Sequence, residues 1–150
     1  MSDPRELYQQ VILEHNKKPR NFGKLDPCTH HAHGLNPLCG DDIEVSLVVA
    51  DGLVQEIRFQ GHGCAISTAS ASLMTEAVQG KPVAEVEALF RDVHALLTEG
   101  REAADPARDF GKLEVLSGVK EFPARVKCAT LAWHTLHNAL VGEHETAHTE

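Results

Sequence analysis

Residues 43–60, IEVSLVVADGLVQEIRFQ, constrain the fold more than any other stretch. Ile43, Val45, Leu47 and Val49 alternate with Glu44, Ser46 and Val48, the two-residue period of a half-buried strand. Asp51-Gly52 follows, a pair that tolerates the left-handed backbone of a type I′ turn, and LVQEIRFQ is the returning strand. The chain therefore has a β-hairpin at its centre. Two cysteine-bearing loops flank it: NPLCGDD enters the first strand, and GHGC leaves the second.

Helical patterns surround the hairpin. Asp3-Pro4 followed by Glu6 reads as an N-cap, a first-turn proline and a capping-box glutamate, and Leu7, Tyr8, Val11 and Ile12 recur at helical spacing until Pro19. The stretch NKKPRNFGKLDPCTHHAHGLNP is rich in turn formers and reads as loop, with a short edge strand near Ala32–Leu35. Ile66, Ala69, Leu73, Ala77 and Val78 trace a helix face ended by Gly80. Pro82 opens another helix, with Val86, Leu89, Phe90, Val93 and Leu97 inside. Residues 98–111 form a charged linker, KLEVLSGV holds a short helical turn, and Pro123 introduces a helix striped by Val126, Ala129, Trp133, Leu136 and Leu140. Strands first and helices after predict an α+β fold: a small antiparallel sheet of about three strands with helices packed on one face. A single domain is expected over residues 1–142, with residues 143–150 as a disordered tail.

Charge narrows the partners. The net charge of −8 argues against nucleic acid or an anionic membrane, both of which are bound through basic patches. No apolar run is long enough to span a bilayer, and the polar start MSDPRELYQQ is not a secretory signal, so a cytoplasmic protein is the expectation. In that compartment four cysteines point to metal or thiol chemistry more than to disulfides. Of the ten histidines, those in the tail EHETAHTE read as solvated, as does the tract HHAH (His30, His31, His33) beside Cys28.

The hairpin brings the start of its first strand beside the end of its second, so Cys39 and Asp41 should neighbour Gly63 and Cys64. Cys64 and Cys128 lie at or near predicted helix starts, where unpaired N–H groups favour thiolate. Gly40, Gly61 and Gly63 let backbone approach the sulfurs. Three thiolates and Asp41 would make the four ligands of a tetrahedral zinc site, its negative charge partly offset by Arg125 and Lys127. The carboxylate is a harder, weaker ligand than thiolate and suits a site that exchanges a ligand. Against this stands the plain alternative of buried structural thiols, since no CxxC pair is present. Cys28, with no glycine or carboxylate nearby, is read as incidental.

At these residues the chain resembles the IscU/SufU family of iron–sulfur cluster assembly proteins, through PRNFG, NPLCGDD, GHGCAISTASASLMTEAVQGK and FPARVKCATLAW. Lys127 stands where the classical scaffold has a histidine, and the longer segment between Cys64 and Cys128 is similar to the SufU branch. The resemblance implies a Zn2+ site made by Cys39, Asp41, Cys64 and Cys128. It also implies that Cys39 accepts persulfide sulfur from a pyridoxal-phosphate cysteine desulfurase of the SufS type, with Arg125 matching an arginine of the SufU motif. Downstream cluster-assembly proteins would receive the sulfur, and the chain would act as the desulfurase's sulfurtransferase partner. The alternative is a scaffold, not itself an enzyme, on which iron and sulfide are built into a [2Fe–2S] cluster at the same site.

Overall fold

The computed structural model describes residues 4–37, 39–100, 102, 104–142 and 147–148. In chain order the elements are helix α1 (Pro4–Lys17), strands β1 (His30–Asn36), β2 (Asp41–Ala50) and β3 (Leu53–His62), and helices α2 (Ala65–Val78) and α3 (Val83–Thr98). A 3-10 helix (Gly111–Glu121), helix α4 (Pro123–Val141) and the two-residue strand β4 (Ala147–His148) follow. The sheet order is β3-β2-β1-β4, antiparallel except for β4, which runs parallel to β1.

The hairpin forms as its sequence requires. Asp51 (φ 56°) and Gly52 (φ 74°) both take left-handed backbone, the mirror-image turn whose twist matches the flanking strands. Ile43, Val45 and Leu47 of β2 and Ile57 and Phe59 of β3 are buried against the helical layer. Ser46 breaks the expected alternation because it too is buried, its hydroxyl accepting from the Leu25 N–H at 3.0 Å where the preceding loop crosses the other face.

Helices α2 and α4 pack together and against the sheet, with α1 on α2 and α3 on α4. Trp133, at the centre of this layer, donates its indole N–H to Ser70 Oγ at 3.2 Å, and that hydroxyl donates to the Ala129 carbonyl at 2.6 Å. The small residues of STASAS let α2 lie this close, and the buried hydroxyls of Ser70 and Ser72 are satisfied by the Ala129 carbonyl on α4 and by His15 on α1. A Cβ at Gly34 would stand 2.0 Å from Thr135 Oγ1, so α4 can cross β1 at this depth only over a glycine. That crossing carries the N-terminal half of α4 to the end of β1.

Three expectations change. The HHAH tract is not a loop: His30, His31 and His33 belong to β1, paired with Leu47, Ser46 and Glu44 of β2. The tail is not wholly without structure, since Ala147–His148 pair with Gly34 and Leu35, while residues 143–146, 149 and 150 lie outside the described residues, as does Asp3. KLEVLSGV forms most of an 11-residue 3-10 helix in which Leu113, Leu116 and Val119 are buried. Their spacing of three matches the three residues per turn of that helix. The linker before it is anchored by Arg108, whose guanidinium bonds Asp92 at 2.7 Å and Glu85 at 2.5 Å on α3.

Candidate metal centre

The end of β1, the start of β2, the end of β3, the first turn of α2 and the second turn of α4 meet at one place. Asn36 and Asp41 are cross-strand partners, and both are buried on the helix side of the sheet. Between them the chain turns through Cys39, whose N–H donates to the Asn36 carbonyl at 3.2 Å, and through Gly40 at φ 73°. This leaves Cys39 exposed. Asp41 Oδ1 accepts the Cys64 N–H at 2.8 Å, and Asp41 Oδ2 lies 4.0 Å from Cys64 Sγ. Cys64 is the N-cap of α2, its sulfur accepting the Ser67 N–H at 3.4 Å.

Glycines make the junction possible. A Cβ at Gly63 would fall 2.6 Å from Asp41 Oδ1, and one at Gly61 (φ 128°) would fall 2.0 Å from the Asp42 carbonyl oxygen. Cys128 closes the group from above. One donor atom each from Cys39, Asp41 and Cys128 lie within 4.8 Å of one another. A tetrahedral zinc with thiolate bonds of about 2.3 Å would need its donors roughly 4 Å apart, so the set fits a metal after a small closure, and Cys39 has the room to make it.

With this geometry in view, the comparisons are specific. Residues 7–141 match the NifU-like N-terminal domain family. The chain belongs to that family. It is 41% identical over 137 residues to the zinc-dependent sulfurtransferase SufU of Bacillus subtilis, covering 91% of each chain. It is 40% identical over 141 residues to the iron–sulfur cluster assembly scaffold protein IscU of Streptococcus pyogenes, covering 93% of this chain and 86% of that one. In three dimensions it superposes with a TM-score of 0.81 and 28% identity on a crystal structure from Fervidobacterium islandicum, described as a SUF-system iron–sulfur cluster assembly scaffold, over 91% of this chain and 98% of that one. The IscU/SufU resemblance read from the motifs thus holds over almost the whole length. Among the described residues, no helix of this NifU-like chain is long and apolar enough to cross a membrane.

The NifU-like junction also corrects one expectation about charge. α4 begins at Pro123, which places Cys128 in its second turn, beyond the reach of the unpaired N–H groups. Burial raises the Cys128 thiol far above its ordinary range, and its neighbours Cys39, Cys64 and Asp41 push it further the same way. A thiolate there needs a cation beside it. Cys64, by contrast, has its expected place at a helix start.

Asn36 is a residue that sequence reasoning missed. Its Nδ2 donates to Cys128 Sγ at 3.7 Å, orienting the sulfur, while its Oδ1 is buried without a hydrogen-bond partner among the described residues. The sequence shows only an Asn-Pro turn there; the register of β1 with β2 is what points its side chain inward. Arg125 is exposed on the first turn of α4, its guanidinium 4.6 Å above the Phe122 ring, and Lys127 is half-buried. Cys28 lies in the loop before β1, outside the Cys39, Asp41 and Cys128 group.

Proposed function

We propose that this chain takes persulfide sulfur from a cysteine desulfurase of the SufS type onto Cys39, at a zinc site whose ligands are Cys39, Asp41, Cys64 and Cys128. The observation that carries the reading is an asymmetry: Cys39 is exposed, while Asp41 and Cys128, with donor atoms within 4.8 Å of it, are buried. Zinc, when bound, supplies the positive charge that keeps such thiolates deprotonated at neutral pH. Asp41 and Cys64 hold each other through the backbone N–H, and Asn36 orients Cys128, so three of the four groups are fixed by the fold. Cys39, on the turn at Gly40, is the one free to reach a partner.

In the transfer, the Cys39 thiolate attacks the terminal sulfur of the desulfurase persulfide. A new S–S bond forms on Cys39, the donor's S–S bond breaks, and the donor cysteine leaves as thiolate, with no net change of oxidation state. Arg125 and the exposed Phe122 beside it offer the partner a cation and an apolar contact next to α4. Downstream cluster-assembly proteins would receive the sulfur, in the cytoplasm.

A second reading, a scaffold that holds a [2Fe–2S] cluster as cargo on the same cysteines, is favoured by the equally high identity to the Streptococcus pyogenes protein named as a scaffold. Incubation with a desulfurase and cysteine, followed by mass spectrometry without reductant, separates the two. The relay predicts a persulfide on Cys39, its loss with desulfurase stimulation in Cys39→Ser, and stoichiometric zinc in a colourless protein. Iron with visible charge-transfer bands and no persulfide on Cys39 would favour the scaffold.

A further inference from the structure

On the far side of α4 from the cysteines, α3 and α4 gather a second set of metal-binding side chains. His94 on α3 and His134 on α4 have ring centres 5.2 Å apart with planes at 77°. His137, one turn along α4 from His134, stacks on Phe90 at 4.8 Å, and Phe90 also meets the His134 ring edge-on at 5.6 Å. All three imidazoles are half-buried.

Two features separate this set from ordinary interface histidines. The first is distance: imidazoles bound to one tetrahedral ion through bonds of about 2.0 Å have ring centres roughly 5 Å apart, which is the His94–His134 separation. The second is orientation. His137 Nδ1 lies 2.9 Å from a Glu87 carboxylate oxygen, and a carboxylate only accepts, so Nδ1 carries a proton and the nitrogen left to ligate is Nε2. A carboxylate behind a histidine in this way is the usual support of a metal ligand. Among the described residues no hydrogen bond occupies the ring nitrogens of His94 or His134. The niche also favours the neutral, ligating form of His134, because burial first and then its two histidine neighbours lower its pKa.

We infer that His94 and His134, joined by Glu87-supported His137, form a second binding site for a borderline divalent transition-metal ion, bridging α3 to α4. Imidazole donors without thiolate select zinc, nickel or copper over calcium or magnesium. The three histidines do not yet bring three donor atoms within 4.8 Å, as Cys39, Asp41 and Cys128 do, so the site closes by a rotation of His137 and binds more weakly than the cysteine site.

The test uses the full chain, first loaded with one equivalent of zinc as verified by elemental analysis, then titrated with zinc chloride. Calorimetry should show a second saturable equivalent, and the imidazole nitrogen resonances of His94, His134 and His137 should shift together as it fills. Glu87→Gln should weaken this step about tenfold, and His94→Gln and His134→Gln at least as much, whereas His62→Gln should not. Circular dichroism decides whether the His134→Gln protein is folded; if it is not, His94→Gln and Glu87→Gln carry the test. The inference is overturned if no second equivalent binds, if it survives in His94→Gln, or if only His144 and His148 shift.

Discussion

Gly63 and Asp41 show how much of the centre is decided by single atoms. The absent Cβ of Gly63 leaves room for Asp41 Oδ1, which in turn accepts the Cys64 N–H. Gly63→Ala should push the carboxylate aside, lowering metal content and costing about 1–3 kcal/mol in urea denaturation. Asp41→Ala should cost a similar amount, about 1–3 kcal/mol, by orphaning the Cys64 N–H, and should lower metal content as well. Cys28→Ser is the control, with metal content and melting temperature both expected to match the parent. The adjacency of Asp41 to Cys64 was legible in the sequence, because a hairpin must bring its two ends together. Asn36 was not, since whether a turn asparagine points inward depends on strand register.

At the scale of elements, buried His15 and half-buried His134 tie helices to their neighbours. His15 on α1 lies 2.7 Å by Nδ1 from Ser72 Oγ on α2, and His134 on α4 meets His94 on α3. Burial is the largest influence on each, and both pKa values fall below the ordinary 6.5, despite the opposing pull of Glu76 on His15. The unfolded chain therefore binds more protons than the folded one as pH drops below about 6.5. Stability contributed by these neutral rings is complete above that pH and is lost as pH falls through the interval down to their lowered folded values. Urea midpoints measured from pH 7.5 to pH 5 should decline, and His15→Gln should flatten the decline. A midpoint independent of pH in the parent would refute this account.

The 3-10 helix belongs to the same scale. Leu116 is fully buried in it, and Leu116→Ala should cost about 2–5 kcal/mol by urea denaturation if the segment is part of the core. A cost near that of a surface change would show that it merely rests on the domain.

For the molecule as a whole, the buried donors of Asp41 and Cys128 crowd together at a junction of five elements, and the Cys128 thiol resists ionisation there. A metal that binds only this folded arrangement adds its binding free energy to folding. Removal of metal by a strong chelator, confirmed by elemental analysis, should lower the melting temperature. An unchanged value would mean that the fold holds its donors in place without help.

Local pattern alone determined the hairpin, the starts of α3 and α4 at their prolines, the stop of α2 before Gly80, and hence the meeting of Asp41 with Cys64. These depend on residues close in the chain, where periodicity and turn chemistry act directly. Packing decided the rest. Cys128 reaches Cys39 and Asp41 because α4 crosses β1 over Gly34, a contact no local window contains. HHAH becomes strand because β2 offers it a hydrogen-bonding edge, and the short turn expected at KLEVLSGV extends into an 11-residue 3-10 helix because the core accepts a residue every third position. His94 and His134 meet only because α3 lies on α4. Each of these depends on the free energy of burying distant surfaces against one another, which becomes visible only when the surfaces are in place.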